Sequence, residues 1–181
     1  MANFYDSQLK NKNYLSPIGF KFTLATKRKV DFFSNSASVP GLTLGTALQT
    51  TPLRNIDVPG DELLFDDFNL EFLVDEDLNN YMILHNWLKG LGFPESMQEF
   101  KDFTSLPSGN EDERLQYVDG TLHILNSNYR DIAMVRFKDL FPTTLSSLEF
   151  NATDDDVNYF TAQATFKYSI YNMVDPSGKD L

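Results

Sequence analysis

Residues 157–171, VNYFTAQATFKYSIY, decide the fold. Phe160, Ala162, Ala164, Phe166, Tyr168 and Ile170 fall at every second position, with Thr161, Gln163, Thr165, Lys167 and Ser169 between them. Successive side chains of a strand point to opposite faces, so this pattern predicts one long strand with an apolar face and a wet face. A strand solvated on one side belongs in an antiparallel sheet.

The same alternation recurs upstream. GFKFTLAT (19–26) sets Phe20, Phe22 and Leu24 against Lys21 and Thr23. VDFFSNSASVP (30–40) predicts a second strand ending at Pro40, and residues 66–75 a third, with Phe68, Leu70, Phe72 and Val74 on one face. YVDGTLHIL (117–125) and RDIAMVRFKDL (130–140) form two more, joined by a turn at NSNY, and SSLEFNAT (146–153) another. One segment has helical spacing. Leu78, Tyr81, Leu84, Leu88 and Leu91 predict a helix over about 77–90, with acids at its start and Gly90, Gly92 and Pro94 at its end. The fold class is therefore mainly β: an antiparallel barrel or sandwich with one flanking helix.

Two segments stand apart from this pattern. Residues 40–63, PGLTLGTALQTTPLRNIDVPGDEL, hold three Pro and three Gly and predict a long loop or irregular hairpin. A connection of that length is usually functional or docked on something. Residues 93–116 predict a loop or small excursion. The polar residues 1–17 form an arm, and the whole of 1–181 makes one domain.

At 41% hydrophobic and 14% aromatic, with sixteen Phe and eight Tyr, the chain can bury a real core. No apolar run is long enough to span a bilayer as a helix, and no signal peptide pattern precedes the first strand. Zero Cys excludes disulfides, thiolate nucleophiles and Cys-based metal sites. Residues 1–56 carry seven basic and two acidic residues, +5; residues 57–181 carry eight basic and 24 acidic, −16. An acidic chain is poorly suited to tight nucleic-acid binding, which rests on Lys and Arg neutralising phosphates. The charge split suits copies of the chain meeting end to end.

Enzyme chemistry finds no support. GLG at 90–92 ends a helix instead of cradling a phosphate. His85 and His123 are distant in sequence and read as structural or exposed. The DDD at 154–156 lacks the Gly and Glu of a calcium loop. Asp66 and Asp67 would point to opposite faces of a strand. No cofactor, catalytic residue or metal site is expected.

The acidic stretch carries the family signal. From Asp57 to Asp77 there are nine acidic residues and no Lys or Arg. RNIDVPGDELLFDDFNLEFLVDEDLNNYMILHNWL resembles a segment of the tail tube proteins of contractile-tailed, T-even-like bacteriophages. In that family a basic–x–I–x–V–x–G–D stretch leads to F-D-D, a strand, D-E and an amphipathic helix. Here those positions are Arg54, Ile56, Val58, Gly60, Asp61, Phe65, Asp66, Asp67, Phe68, Asp75 and Glu76. The end, VRFKDLFPTTLSSLEFNATDDDVNYFTAQATFKYSIY, is similar to the family's aromatic–Pro–Thr turn, acidic turn and long last strand.

The resemblance implies a structural virion protein. Hexameric rings would stack head to tail into the inner tail tube, inside the sheath protein, with tape measure and baseplate proteins as further partners. Genomic DNA would pass through without specific binding, after assembly in the host cytoplasm. The 40–63 segment would dock on the neighbouring ring through Leu42, Leu44, Leu48 and Arg54. Glu71, Asp119 and Glu149 are candidates for inter-subunit contact or an acidic lumen. The alternatives are a tube-like baseplate, tube-initiator or tail-terminator protein of the same fold, or a monomeric barrel that binds a small ligand.

Overall fold

The computed structural model describes residues 15, 19–25, 34–92, 96–97, 117–150 and 159–180. The predicted N-terminal arm (Leu15 excepted), most of the 93–116 excursion and the acidic turn at 154–156 lie outside them. The strands run in chain order as β1 (Phe20–Leu24), β2 (Ser34–Ala37), β3 (Leu42–Thr50), β4 (Asn55–Phe65) and β5 (Phe68–Leu73). Helix α1 (Asn79–Gly92) follows, then β6 (Val118–Leu125), β7 (Asp131–Leu145), β8 (Thr161–Lys167) and β9 (Ile170–Val174).

The main sheet has the order β1-β6-β7-β8-β5-β2, with β9 beside β7, and its pairings are antiparallel. The outer strands β1 and β2 come into contact, so the sheet curls towards closure. The mainly antiparallel fold with a flanking helix is thus as the alternation predicted. Phe22, Phe68, Phe72, Phe137 and Phe166 fill the interior, together with Leu70, Leu122, Val135 and Leu140. Phe68 stacks at 4.7 Å from Phe137 and 5.1 Å from Phe22. Burying one such ring contributes about 1.5–3 kcal/mol.

The predicted final strand is broken into two. β8 pairs with Phe141–Leu145 of β7, and β9 with Met134–Lys138, in a register that carries through from Phe141–Lys167 to Lys138–Ile170. Between them lies the corner of the barrel. Asp139 takes a left-handed φ of 54°, and opposite it the chain leaves the strand at residues 168–169. Ser169 N–H still donates to the Lys138 carbonyl at 3.0 Å. Both strands change phase at this corner. The core side chains are Val135 and Phe137 before it in β7, Leu140 and Pro142 after it. In the last strand Ala162, Ala164 and Phe166 face inward, then Tyr171. Ile170, predicted to face the core, is therefore 42% exposed. No residue is inserted on either strand; the left-handed turn at Asp139 and the break at residues 168–169 opposite it shift the alternation of both.

Three further expectations change. The helix lies two residues later than 77–90, and its first turn holds no acid; Asp75, Glu76 and Asp77 precede it. Its buried side is Asn80, Leu84, Trp87 and Gly90, while Leu78 is exposed. Asn80 explains the rotation: its amide donates to the Leu73 carbonyl at 2.7 Å and its Oδ1 accepts from Asp75 N–H at 3.2 Å. That ties the helix start to the end of β5. Residues 146–150 of the predicted SSLEFNAT strand run outside any strand, and residues 151–153 lie outside the described residues. The second strand, described as Ser34–Ala37, stops short of Pro40, and its residues 30–33 lie outside the described residues.

Candidate assembly surface

Residues 40–63 form the larger part of a hairpin. Among the described residues β3 and β4 pair only with each other, as a separate two-stranded sheet standing off the barrel. The hairpin half of the expectation is therefore the right one. Its irregularity lies between Leu44 and Thr46, where Gly45 opposes extra residues of β4. A Cβ on Gly60 would lie 2.7 Å from the Gly45 carbonyl oxygen, so the two backbones touch there. Thr51 closes the tip: its N–H donates to the Arg54 carbonyl at 3.3 Å, and its Oγ1 accepts from Arg54 N–H at 3.3 Å.

Leu42, Leu44 and Leu48 sit at even positions of one strand and share a face. Leu63 and Pro59 join it as the cross-strand partners of Leu44 and Thr46. These leucines stay largely in water: Leu42 is 53% exposed, Leu44 50% and Leu48 66%. Leu64 and Ile56 on β4 are exposed as well. Exposed apolar side chains gathered on one hairpin make this surface the candidate for contact with other chains. Arg54 is exposed at the tip.

The base of the hairpin is held by the corner between β8 and β9. Tyr168 donates its hydroxyl to the Asp66 carbonyl at 2.7 Å, just after β4. Tyr171 donates to the Pro40 carbonyl at 3.0 Å, just before β3. Phe65 stands edge-on to both rings, at 6.2 Å and 5.8 Å. Both rings rest on Phe137, which packs on Phe68 in the core. Burial, with the nearby Tyr171 and the carboxylates of Asp66 and Asp67, pushes the Tyr168 hydroxyl up to about 12.

The acidic candidates are dispersed. Glu71 lies on β5, half-buried, and accepts from Asn35 Nδ2 at 3.0 Å. Asp119 lies on β6, exposed, and its Oδ1 accepts from Asp139 N–H at 3.2 Å, bracing the corner. Glu149 is exposed beyond the end of β7. β5 and β6 are separated in the sheet by β7 and β8, so a single chain does not gather these acids. Asp67 and Lys167, 3.9 Å apart on the surface, add little. His85 is exposed, and His123 Nδ1 lies 3.4 Å from Asp131. Among the described residues no cluster of His, Asp or Glu could hold a metal ion, and no helix is long and apolar enough to cross a membrane.

Known proteins place this architecture. The family model described as phage tail tube protein matches residues 1–174. The chain belongs to that family. A tail tube protein is a structural component of the phage tail, not an enzyme. Over 150 residues it is 28% identical to the tail tube terminator protein of Enterobacteria phage T4, covering 81% of this chain and 78% of that one. Among solved structures, the tube-terminating cap of the anti-feeding prophage superposes with a TM-score of 0.65 at 17% identity, over 97% of this chain and 99% of the other. The sheath–tube complex of the PVC extracellular contractile injection system gives 0.57 at 17% identity, over 91% and 93%. These likenesses show that the tail tube protein shares its fold with the tubes of contractile injection machines.

Proposed function

We propose that this tail tube protein ends the tube: it forms a ring on the last ring of tube subunits and stops growth there. The observation that carries this reading is the 28% identity with the phage T4 tail tube terminator across most of both chains. The repeating subunit of the tube, the expectation drawn from the sequence, is the second reading, favoured by the family description alone.

Either way the chain works by association. Stacked rings meet head to tail and need two different complementary surfaces. The β3–β4 hairpin supplies one, with Leu42, Leu44 and Leu48 seating on the adjoining ring and Arg54 at its tip reaching acidic residues. Hexameric closure, contact with the sheath, and the tape measure and baseplate proteins as neighbours belong to the same proposal. So does an acidic channel that lets genomic DNA pass, with Glu71, Asp119 and Glu149 as candidate lining.

Electron microscopy of the purified protein separates the readings. A terminator forms single rings that stay single and, in virions, labels one end of the tail. A repeating subunit grows long tubes and labels the tail along its length. A protein that remains monomeric at high concentration overturns both.

A further inference from the structure

We propose that Tyr168 and Tyr171 are positioning residues: their hydroxyls clasp the two ends of the β3–β4 hairpin and set its direction before any partner arrives. This rests on the hairpin's docking role proposed above.

The hairpin needs such a device. Among the described residues it pairs with no other strand, and a two-stranded sheet alone in water is marginal. Its exposed leucines give it little packing of its own on the barrel. The two tyrosine bonds fall at its two ends, Asp66 on the way out and Pro40 on the way in. Two points of attachment fix a direction, where one would leave a swivel. Phe65, between the rings, fills the space under the hinge. The chain Phe65, Tyr168, Phe137, Phe68 then runs from the hairpin base into the core, ring on ring. The clasp also explains the break between β8 and β9. In an unbroken strand, positions 168 and 171 would point to opposite faces; the corner turns both towards the hairpin.

A hairpin held in its docking direction avoids an ordering cost on association. Binding that first requires a conformational change is slower. Tyr168→Phe and Tyr171→Phe keep the rings and remove only the hydroxyls, so the barrel should remain folded. The chain has no Cys, so spin labels can be placed at Leu53→Cys on the tip and Ser127→Cys on the β6–β7 turn. In the isolated subunit the distance between them should be narrowly distributed, and broad in the Y168F/Y171F variant. Amide exchange of β3 and β4 should accelerate about tenfold or more, with β5–β8 unchanged. Ring association should slow while the melting temperature of the barrel holds. A narrow distance retained in the double variant, or a broad one already present in the native chain, overturns the proposal. Should the double variant not fold, Y171F alone gives the same two readouts. Distance and exchange are read on the free subunit, so they stand whether or not the hairpin proves to be the docking element.

Discussion

Gly60 and Gly45 meet backbone to backbone across the hairpin, with no room for a side chain: a Cβ on Gly60 would sit 2.7 Å from the Gly45 carbonyl oxygen. A Cβ on Gly45 would meet its nearest neighbour, the Glu62 carbonyl oxygen, only at 3.4 Å. The two glycines therefore predict different outcomes. Gly60→Ala should destabilise the hairpin by about 1–3 kcal/mol, since backbone must shift, while Gly45→Ala should cost well under that. Amide exchange within β3 and β4 compares them, and equal effects would refute the geometry.

Leu42→Asp with Leu44→Asp should leave the subunit folded and stop its docking on the adjoining tube ring. Both side chains are already half in water, so the folded chain should change by only about 0.5 kcal/mol each. In a dry interface each unpaired carboxylate costs several kcal/mol. Melting curves of the variant, and electron micrographs of it mixed with tube rings, check the pair; normal docking on those rings would give the hairpin another task.

Phe68→Ala tests the core. Its ring contacts Phe22, Phe137 and Phe166 and is fully buried. The variant should lose about 3–5 kcal/mol in denaturant unfolding. A loss below about 1 kcal/mol would show that the site collapses around the cavity.

Alkaline pH should release the hairpin. The Tyr168 hydroxyl donates to a carbonyl, so only its neutral form makes the bond. Its folded value is raised from 10.0 to about 12, so the stability it contributes is full below pH 10 and lost as pH rises through 12. Phenolate absorbance should show a late-titrating step that is lost in Tyr168→Phe. A titration unchanged by the substitution would remove Tyr168 from this role.

Much of the fold was legible because alternation and helical spacing report burial directly. Phe22, Phe68, Leu70, Phe72, Ala162, Ala164 and Phe166 all lie inside, as their spacing said. The corner was not legible. Nothing in VRFKDLF or FKYSIY marks Asp139 as left-handed, because the demand comes from a sheet bending round a core, a tertiary effect. The helix was offset for a similar reason: Asn80, polar on its face, is buried to bind Leu73. Of the assembly surface, the leucines were visible as apolar residues with nothing nearby to cover them. The tyrosines that hold them were not, since the bonds join positions 102 and 131 residues apart.

That separation also orders the chain's history. Thr23 touches His123 across 100 positions, and Asn69 meets Thr165 across 96. Two barrel seams, β1–β6 and β5–β8, join segments far apart in the chain, and such topologies fold slowly. At about 5–20 residues per second, the ribosome takes several seconds to deliver β6 after β1. The β3–β4 hairpin, by contrast, needs only its own neighbours and leaves the ribosome early. Its apolar face is thus in solution, unclasped, before Tyr168 and Tyr171 exist. On a crowded polysome the surface proposed for assembly is also the one on which nascent copies would first stick together.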